Sequence, residues 1–273
     1  MNSAKWVGRG SLLWKVLLVL AAISILTIWL ANTPDGLLGK ADAIGYAVCH
    51  RIDARSFHLG DRQFPLCARC SGMYLGALLG LVYQLVQGRR GSLPSTKTNI
   101  FLAVCVVAFG IDGTNSFLHL FPNVAGIYTP ANWSRLVTGT GMGIAMAAML
   151  MPTFHQTVWK TWDTRPALGS FRQIGGLVAL SAVLVVIILA ANGNAVILFP
   201  LALLSSLAVL VILTMVYSMI LIMLARSDNT FDKLRQVWMA LLGGFCIALL
   251  QIALFDLVRF LATGTWGGFN LPG

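Results

Sequence analysis

Three cysteines and a histidine lie in one short polar stretch of an otherwise apolar chain: Cys49-His50, then Cys67-Ala68-Arg69-Cys70. Thiolates and imidazoles ligate soft metals and carry out thiol–disulfide exchange, so this cluster is where chemistry is to be sought. The metal reading takes Cys49, Cys67 and Cys70 as thiolate ligands, with His50, His58 or His119 completing a tetrahedral site of the zinc kind, iron being the other ion considered. His50 is the first candidate, although adjacent residues that ligate one ion strain the backbone between them. The redox reading makes Cys67 and Cys70 an exchanging pair with Cys49 as third partner, passing electrons to a membrane quinone. A third reading is a disulfide that pins the loop and leaves one thiol over. Cys70 is followed by Ser71 rather than histidine, which disfavours a c-type haem.

The second group of chemistry-bearing residues is sunk in apolar surroundings, where ionisable side chains are costly and default to functional candidates. All nine acidic residues are aspartates. In Asp112-Gly113-Thr114-Asn115-Ser116, followed by His119, spacings of three, four and seven place Asp112, Asn115, Ser116 and His119 on one helical face. Arg135 begins the next apolar run on the same side, where it either neutralises Asp112 or meets an anionic ligand. Asp256 and Arg259, three apart, read as a local ion pair. Cys105 and Cys246 fall mid-run among apolar neighbours and read as packing residues. His155 reads as an interfacial, solvated residue.

The elements that must carry these residues are membrane spans. Of 273 residues 58% are hydrophobic and 10% charged, with a mean hydropathy of +0.81, which excludes an ordinary soluble domain. Runs of the roughly 20 residues needed to cross a hydrocarbon core occur at 12–31, 70–87, 100–120, 135–152, 174–191, 196–225 and 236–262. The expectation is an all-α polytopic bundle of about seven transmembrane helices, with Asn192-Gly193-Asn194 as a very short hairpin between the fifth and sixth. Placing the N-terminus in the cytoplasm puts Lys5, Arg9, Lys15, Arg89, Arg90, Lys97, Lys160, Arg165, Arg172, Arg226, Lys233 and Arg235, 12 of the 19 basic residues, inside. Lys40, Arg51, Arg55, Arg62, Arg69 and Arg135 then lie outside, and the cysteine loop faces out from the cytoplasmic membrane. The net charge of +10 reads as topology and attraction to anionic headgroups; no basic patch interleaved with aromatics suggests nucleic acid. The first run reads as a retained signal anchor, because it is longer than a cleavable one. Gly72, Gly76 and Gly80, and likewise Gly139 and Gly143, form small-residue stripes on the second and fourth spans, which suggests that these two helices pack together. That contact would gather the cysteines, Asp112 and Arg135 under one outer vestibule.

Cys49-His50-Arg51, Arg55-Ser56-Phe57, Pro65-Leu66-Cys67-Ala68-Arg69-Cys70-Ser71-Gly72, Asp112-Gly113 and Arg135-Leu136-Val137-Thr138-Gly139 occur in an order that resembles a widespread prokaryotic family of membrane proteins, domain of unknown function 2085. The resemblance covers about residues 40–150. It implies a core of four spans over 1–155, with outer cysteine loop 32–69, and an added three-span segment over 156–273; it names no activity. In the family pattern a Thr-Gln pair commonly follows Asp-Gly, whereas Thr114-Asn115-Ser116 follows here. The layout is also similar to quinone-coupled thiol oxidases of the bacterial inner membrane in Cys67, Arg69 and Cys70, but lacks their second, loop-borne cysteine pair.

These readings converge on an integral membrane protein whose outer vestibule holds a zinc-like site of Cys49, His50, Cys67 and Cys70. A catalytic version makes it a membrane-embedded hydrolase or transferase for a lipid-linked or anionic substrate, Asp112 accepting a proton and Arg135 orienting the anion. The alternatives are a quinone-coupled thiol–disulfide oxidoreductase, and a transporter or membrane-complex subunit in which the cluster only stiffens the loop. The chain shows no internal repeat of the transporter kind.

Overall fold

The computed structural model describes residues 12–121 and 126–269. Lys5 and Arg9, two of the cations assigned to the inner side, lie outside the described residues. Each apolar run becomes a helix within a few residues of its expected bounds: α1 Leu12–Asn32, α3 Ala68–Leu85, α4 Thr96–Leu118, α5 Asn132–Val158, α6 Phe171–Ala190, α7 Ala195–Leu224 and α8 Leu234–Thr263. A further helix, α2, spans Gly36–Val48. The protein is an all-α membrane helical bundle. Among the described residues α1, α4, α5, α6, α7 and α8 are long and apolar enough to cross a membrane by themselves.

The remaining expected span, α3, differs for a physical reason. Its 18 residues reach about 27 Å, close to a hydrocarbon thickness, but most of its surface faces protein and needs no large apolar side chains. Gly72, Gly76 and Gly80 of α3 abut Leu136, Thr140 and Ala147 of α5, and Gly139 and Gly143 of α5 abut the backbone at Arg69 and Met73 of α3. A Cβ on Gly76 would come within 2.7 Å of the Thr140 carbonyl oxygen, so only glycine permits this approach. α4 and α6 pack on α5, α7 packs on α3, and α8 lies along α7 and α1.

Local chemistry sets the helix ends. Ser95 caps α4 by accepting from the Thr98 amide, Ser170 and Gln173 form a capping box at α6, and Asn194 caps α7 by accepting from Val196 and Ile197. The α6–α7 hairpin is as short as expected, with Gly193 at φ +86°.

The segment 32–69, read from the sequence as a hydrophilic loop, is folded. α2 buries Ala41, Ala43, Ile44 and Tyr46, and β1 Ser56–Leu59 pairs antiparallel with β2 Arg62–Cys67. Ser206 of α7 donates to the Ala41 carbonyl at 3.0 Å, and the Tyr46 hydroxyl donates to the Thr265 carbonyl at 2.7 Å. The hairpin rests on the α6–α7 turn through Gly193 N–H to His58 O (3.0 Å) and Gly60 N–H to Gly193 O (3.2 Å). At the opposite end, β3 Arg90–Ser92 pairs parallel with β4 Asp163–Pro166, and Lys160 donates to Phe231 O at 2.9 Å. The loops therefore sort into two ends as the alternation of spans requires, with the cysteines at one and Arg89, Arg90, Lys160, Arg165 and Arg226 at the other.

Candidate metal centre and its vestibule

α2 ends at Val48, and Cys49 closes it by donating its amide to Gly45 O at 2.8 Å. The chain then turns through Arg51 in the left-handed region (φ 51°), an unusual conformation for a residue with a Cβ. The turn aims the Arg51 amide at the Cys49 sulfur at 3.5 Å, while the Cys67 amide donates to the same sulfur at 3.3 Å. Cys67 is the N-cap of α3 and Cys70 sits in its first turn, so both thiols lie at the positive end of the helix. The three sulfurs all lie within 4.8 Å of one another, in the only group of three or more His, Cys, Asp and Glu donors with that spacing among the described residues. All five cysteines are free thiols, with Cys49 and Cys67 buried.

Three thiols this close do not ionise alike. The Cys67 thiol is held well below the usual range because the Cys49 and Cys70 thiols hydrogen-bond to it; donating to Cys67 pushes Cys49 up to about 12. Burial pulls His50 down from its ordinary value. His50 stands outside the sulfur trio: its Nδ1 accepts the Ile52 amide at 3.3 Å. His58 pairs with Asp53 at 3.0 Å, and His119 Nδ1 meets Asn115 O at 2.9 Å.

The residue that fixes Cys49-His50 was paired with another partner in the sequence reading. Arg259 of α8 makes no ion pair with Asp256; it donates to Tyr46 O (2.6 Å), Cys49 O (2.5 Å) and His50 O (3.1 Å) and stacks on the Tyr46 ring at 3.9 Å. The carbonyls of Tyr46, Cys49 and His50 at the end of α2 attract the guanidinium away from its own helix. Asp256 takes the Trp29 indole N–H at 3.3 Å instead.

The structure also re-pairs Asp112. Its partner is Arg69, not Arg135: Arg69 Nε and Nη2 reach Asp112 Oδ2 at 2.9 and 2.5 Å, and Nη2 also donates to Ser116 Oγ at 2.7 Å. Tyr128 (2.5 Å) and Ser134 (3.3 Å) donate to Oδ1, so the buried carboxylate accepts four hydrogen bonds. Arg69, between two cysteines in sequence, therefore points toward α4. The anticipated polar face exists, with Asp112, Asn115 and Ser116 buried. Asn115 clamps the returning loop, accepting from Ile127 N at 2.7 Å and donating to Tyr128 O at 2.8 Å. Arg135 is buried and donates to Asn132 Oδ1 at 2.9 Å. Cys105 packs on Gly141, and Cys246 is buried, as expected of packing residues. His155 is not solvated: it is buried and accepts the Trp159 indole N–H at 3.0 Å.

The matched region brackets this constellation from its first cysteine to the helix of Arg135. Residues 49–149 match the DUF2085 family model, described as a predicted membrane protein. An uncharacterized protein of Methanocaldococcus jannaschii is 25% identical over 119 residues, covering 43% of this chain and 70% of that protein. Another, of Methanothermobacter thermautotrophicus, is 29% identical over 108 residues, covering 40% of this chain and 88% of that protein. No solved structure matches. The DUF2085 region thus includes all three sulfurs, Asp112 and Arg135, whereas Arg259 comes from the helix that closes the bundle beyond it.

Proposed function

We propose that this membrane protein carries a trithiolate metal centre of the zinc kind, Cys49, Cys67 and Cys70, at the extracytoplasmic end of its bundle. The observation that carries the reading is the convergence of three sulfurs from two segments within 4.8 Å, those of Cys49 and Cys67 buried and that of Cys49 braced by two backbone N–H groups. A zinc ion with Zn–S of about 2.3 Å in tetrahedral geometry needs sulfurs about 3.8 Å apart, which this trio reaches by small rotations. A disulfide would use two sulfurs and leave the third beside them unexplained; a metal uses all three. The fourth position belongs to His50, after a ring rotation, or to water or substrate. With that position open, the ion supplies Lewis acidity toward an anionic or lipid-linked substrate, the hydrolase or transferase form of the reading. Arg259 holds the Cys49-His50 backbone, and Asp112 fixes Arg69 and the 126–128 loop as the vestibule wall. The excess of basic residues in the short segments of the other end, Arg89, Arg90, Lys97, Lys160, Arg165, Arg172, Arg226, Lys233 and Arg235, supports the outward orientation.

Metal analysis of the purified full chain, with X-ray absorption at the metal edge, tests the reading. The expected result is about one zinc or iron per chain in a sulfur-rich shell, lost in the Cys67→Ser, Cys70→Ser double variant. Metal-free protein overturns it, and metal-free protein whose cysteines cycle with an added quinone replaces it with thiol–disulfide exchange.

A further inference from the structure

Beside the sulfur cluster, two arginines are buried without an acid. Arg55 is 4% exposed and its guanidinium makes no hydrogen bond or ion pair with any described residue, its Nε and Nη2 being both buried and unbonded. Arg135 is 5% exposed, bonds only the neutral Asn132 amide, and leaves its Nε buried and unbonded. Asn132 places the two together: its Nδ2 donates to Ala54 O (3.4 Å) and Ser56 O (3.3 Å), the carbonyls flanking Arg55, while its Oδ1 holds Arg135. Burying a guanidinium without a counter-ion is strongly unfavourable, and it is tolerated where an anion completes the site.

Asp112, the carboxylate that acts on Arg135, is saturated by Arg69, Tyr128 and Ser134. Three guanidinium charges, from Arg55, Arg69 and Arg135, act on one another in the same region as that one carboxylate. A divalent ion on three thiolates adds one further negative charge, and neutral thiols add none, so positive charge is left over in either state. Resting on the proposed centre for its chemical meaning but not for its geometry, we infer that Arg55 and Arg135 form a binding site for a phosphate-class oxyanion next to the sulfur cluster. Two guanidinium forks match the oxygens of a phosphate group, and the first turn of α5 adds the positive end of a helix. Arg135 begins a span, which sets the site near headgroup depth, so a lipid phosphate and a free phosphate ester share the chemistry that would be recognised.

The test uses the full chain in zwitterionic nanodiscs. Inorganic phosphate is titrated by calorimetry, and short-chain phosphatidic acid is titrated separately and in competition with it. The inference expects saturable binding of at least one probe, weakened at least tenfold in Arg55→Gln and in Arg135→Gln but unchanged in Arg226→Gln at the opposite end. Binding of phosphatidic acid alone assigns a lipid headgroup; binding of both in competition assigns a free phosphate group as sufficient. Without phosphate, each glutamine variant should melt no lower than wild type, because it removes an uncompensated buried charge. If a glutamine variant fails to fold, the wild-type titrations still decide. No saturable binding by wild type, or binding that both glutamine variants keep, overturns the inference. Metal analysis and the same titrations on the wild-type chain separate the two proposals: phosphate bound by metal-free wild type leaves the anion site standing and the metal centre fallen, and metal bound without phosphate does the reverse.

Discussion

At the scale of single residues, the vestibule is held by arginines whose partners lie on other helices. Asp112 is 1% exposed and answers Arg69, so Asp112→Asn leaves a guanidinium without its counter-ion and should cost about 3 kcal/mol. Chemical denaturation in detergent checks this, and a Arg69→Met, Asp112→Leu double variant should lose less than the single one. Arg259→Gln removes charge-assisted bonds to the Cys49 and His50 carbonyls and should weaken zinc binding roughly tenfold by chelator competition, with the helical signal unchanged. Unaltered zinc affinity would show that the Cys49 loop holds its shape unaided. The chemistry-bearing residues could be read from type and spacing; their pairing could not. Asp256 and Arg259, and Asp112 and Arg135, looked like couples along the chain, but Arg259 and Asp112 each took a partner that only packing supplies, while Arg135 was left with the neutral Asn132 of its own helix.

At the scale of elements, the α3–α5 contact positions the site, because it fixes the helix that carries Cys70 against the helix that carries Arg135. In Gly139→Ala the new methyl would land on the Arg69 carbonyl, which is helix backbone and cannot give way, so the helices must separate. The expected loss is about 2 kcal/mol together with lowered metal occupancy. Gly110→Ala on α4 meets open space and serves as the neutral control in the same melting experiment. The glycine stripes were readable at intervals of four residues, and so was the prospect that the two helices meet. α2 was not readable: its 13 residues are too short to span, and four of its six buried residues, Gly39, Ala41, Ala43 and Gly45, are too small to give much hydrophobic signal beside Ile44 and Tyr46. It is stable because Trp29 and Ser206 provide a place to dock and its own Tyr46 reaches Thr263 of α8.

At the scale of the whole molecule, alternating spans gather the cysteine loop, the α6–α7 turn, the start of α5 and the end of α8 at one end. Cysteines introduced at Asp61 and Asp228, both exposed and at opposite ends, test which end faces out. An impermeant maleimide applied to intact cells should label the Asp61→Cys protein and spare the Asp228→Cys protein; the reverse pattern would invert the orientation. From the sequence alone came the spanning helices, their order, the two sets of loops and the identity of the three sulfurs, because apolar run length and residue chemistry are local properties. Tertiary structure alone decided that the sulfurs meet, that Arg259 braces them, and that Arg55 and Arg135 are left without acids. Those outcomes depend on distances between segments far apart in the chain, and packing sets such distances where spacing does not.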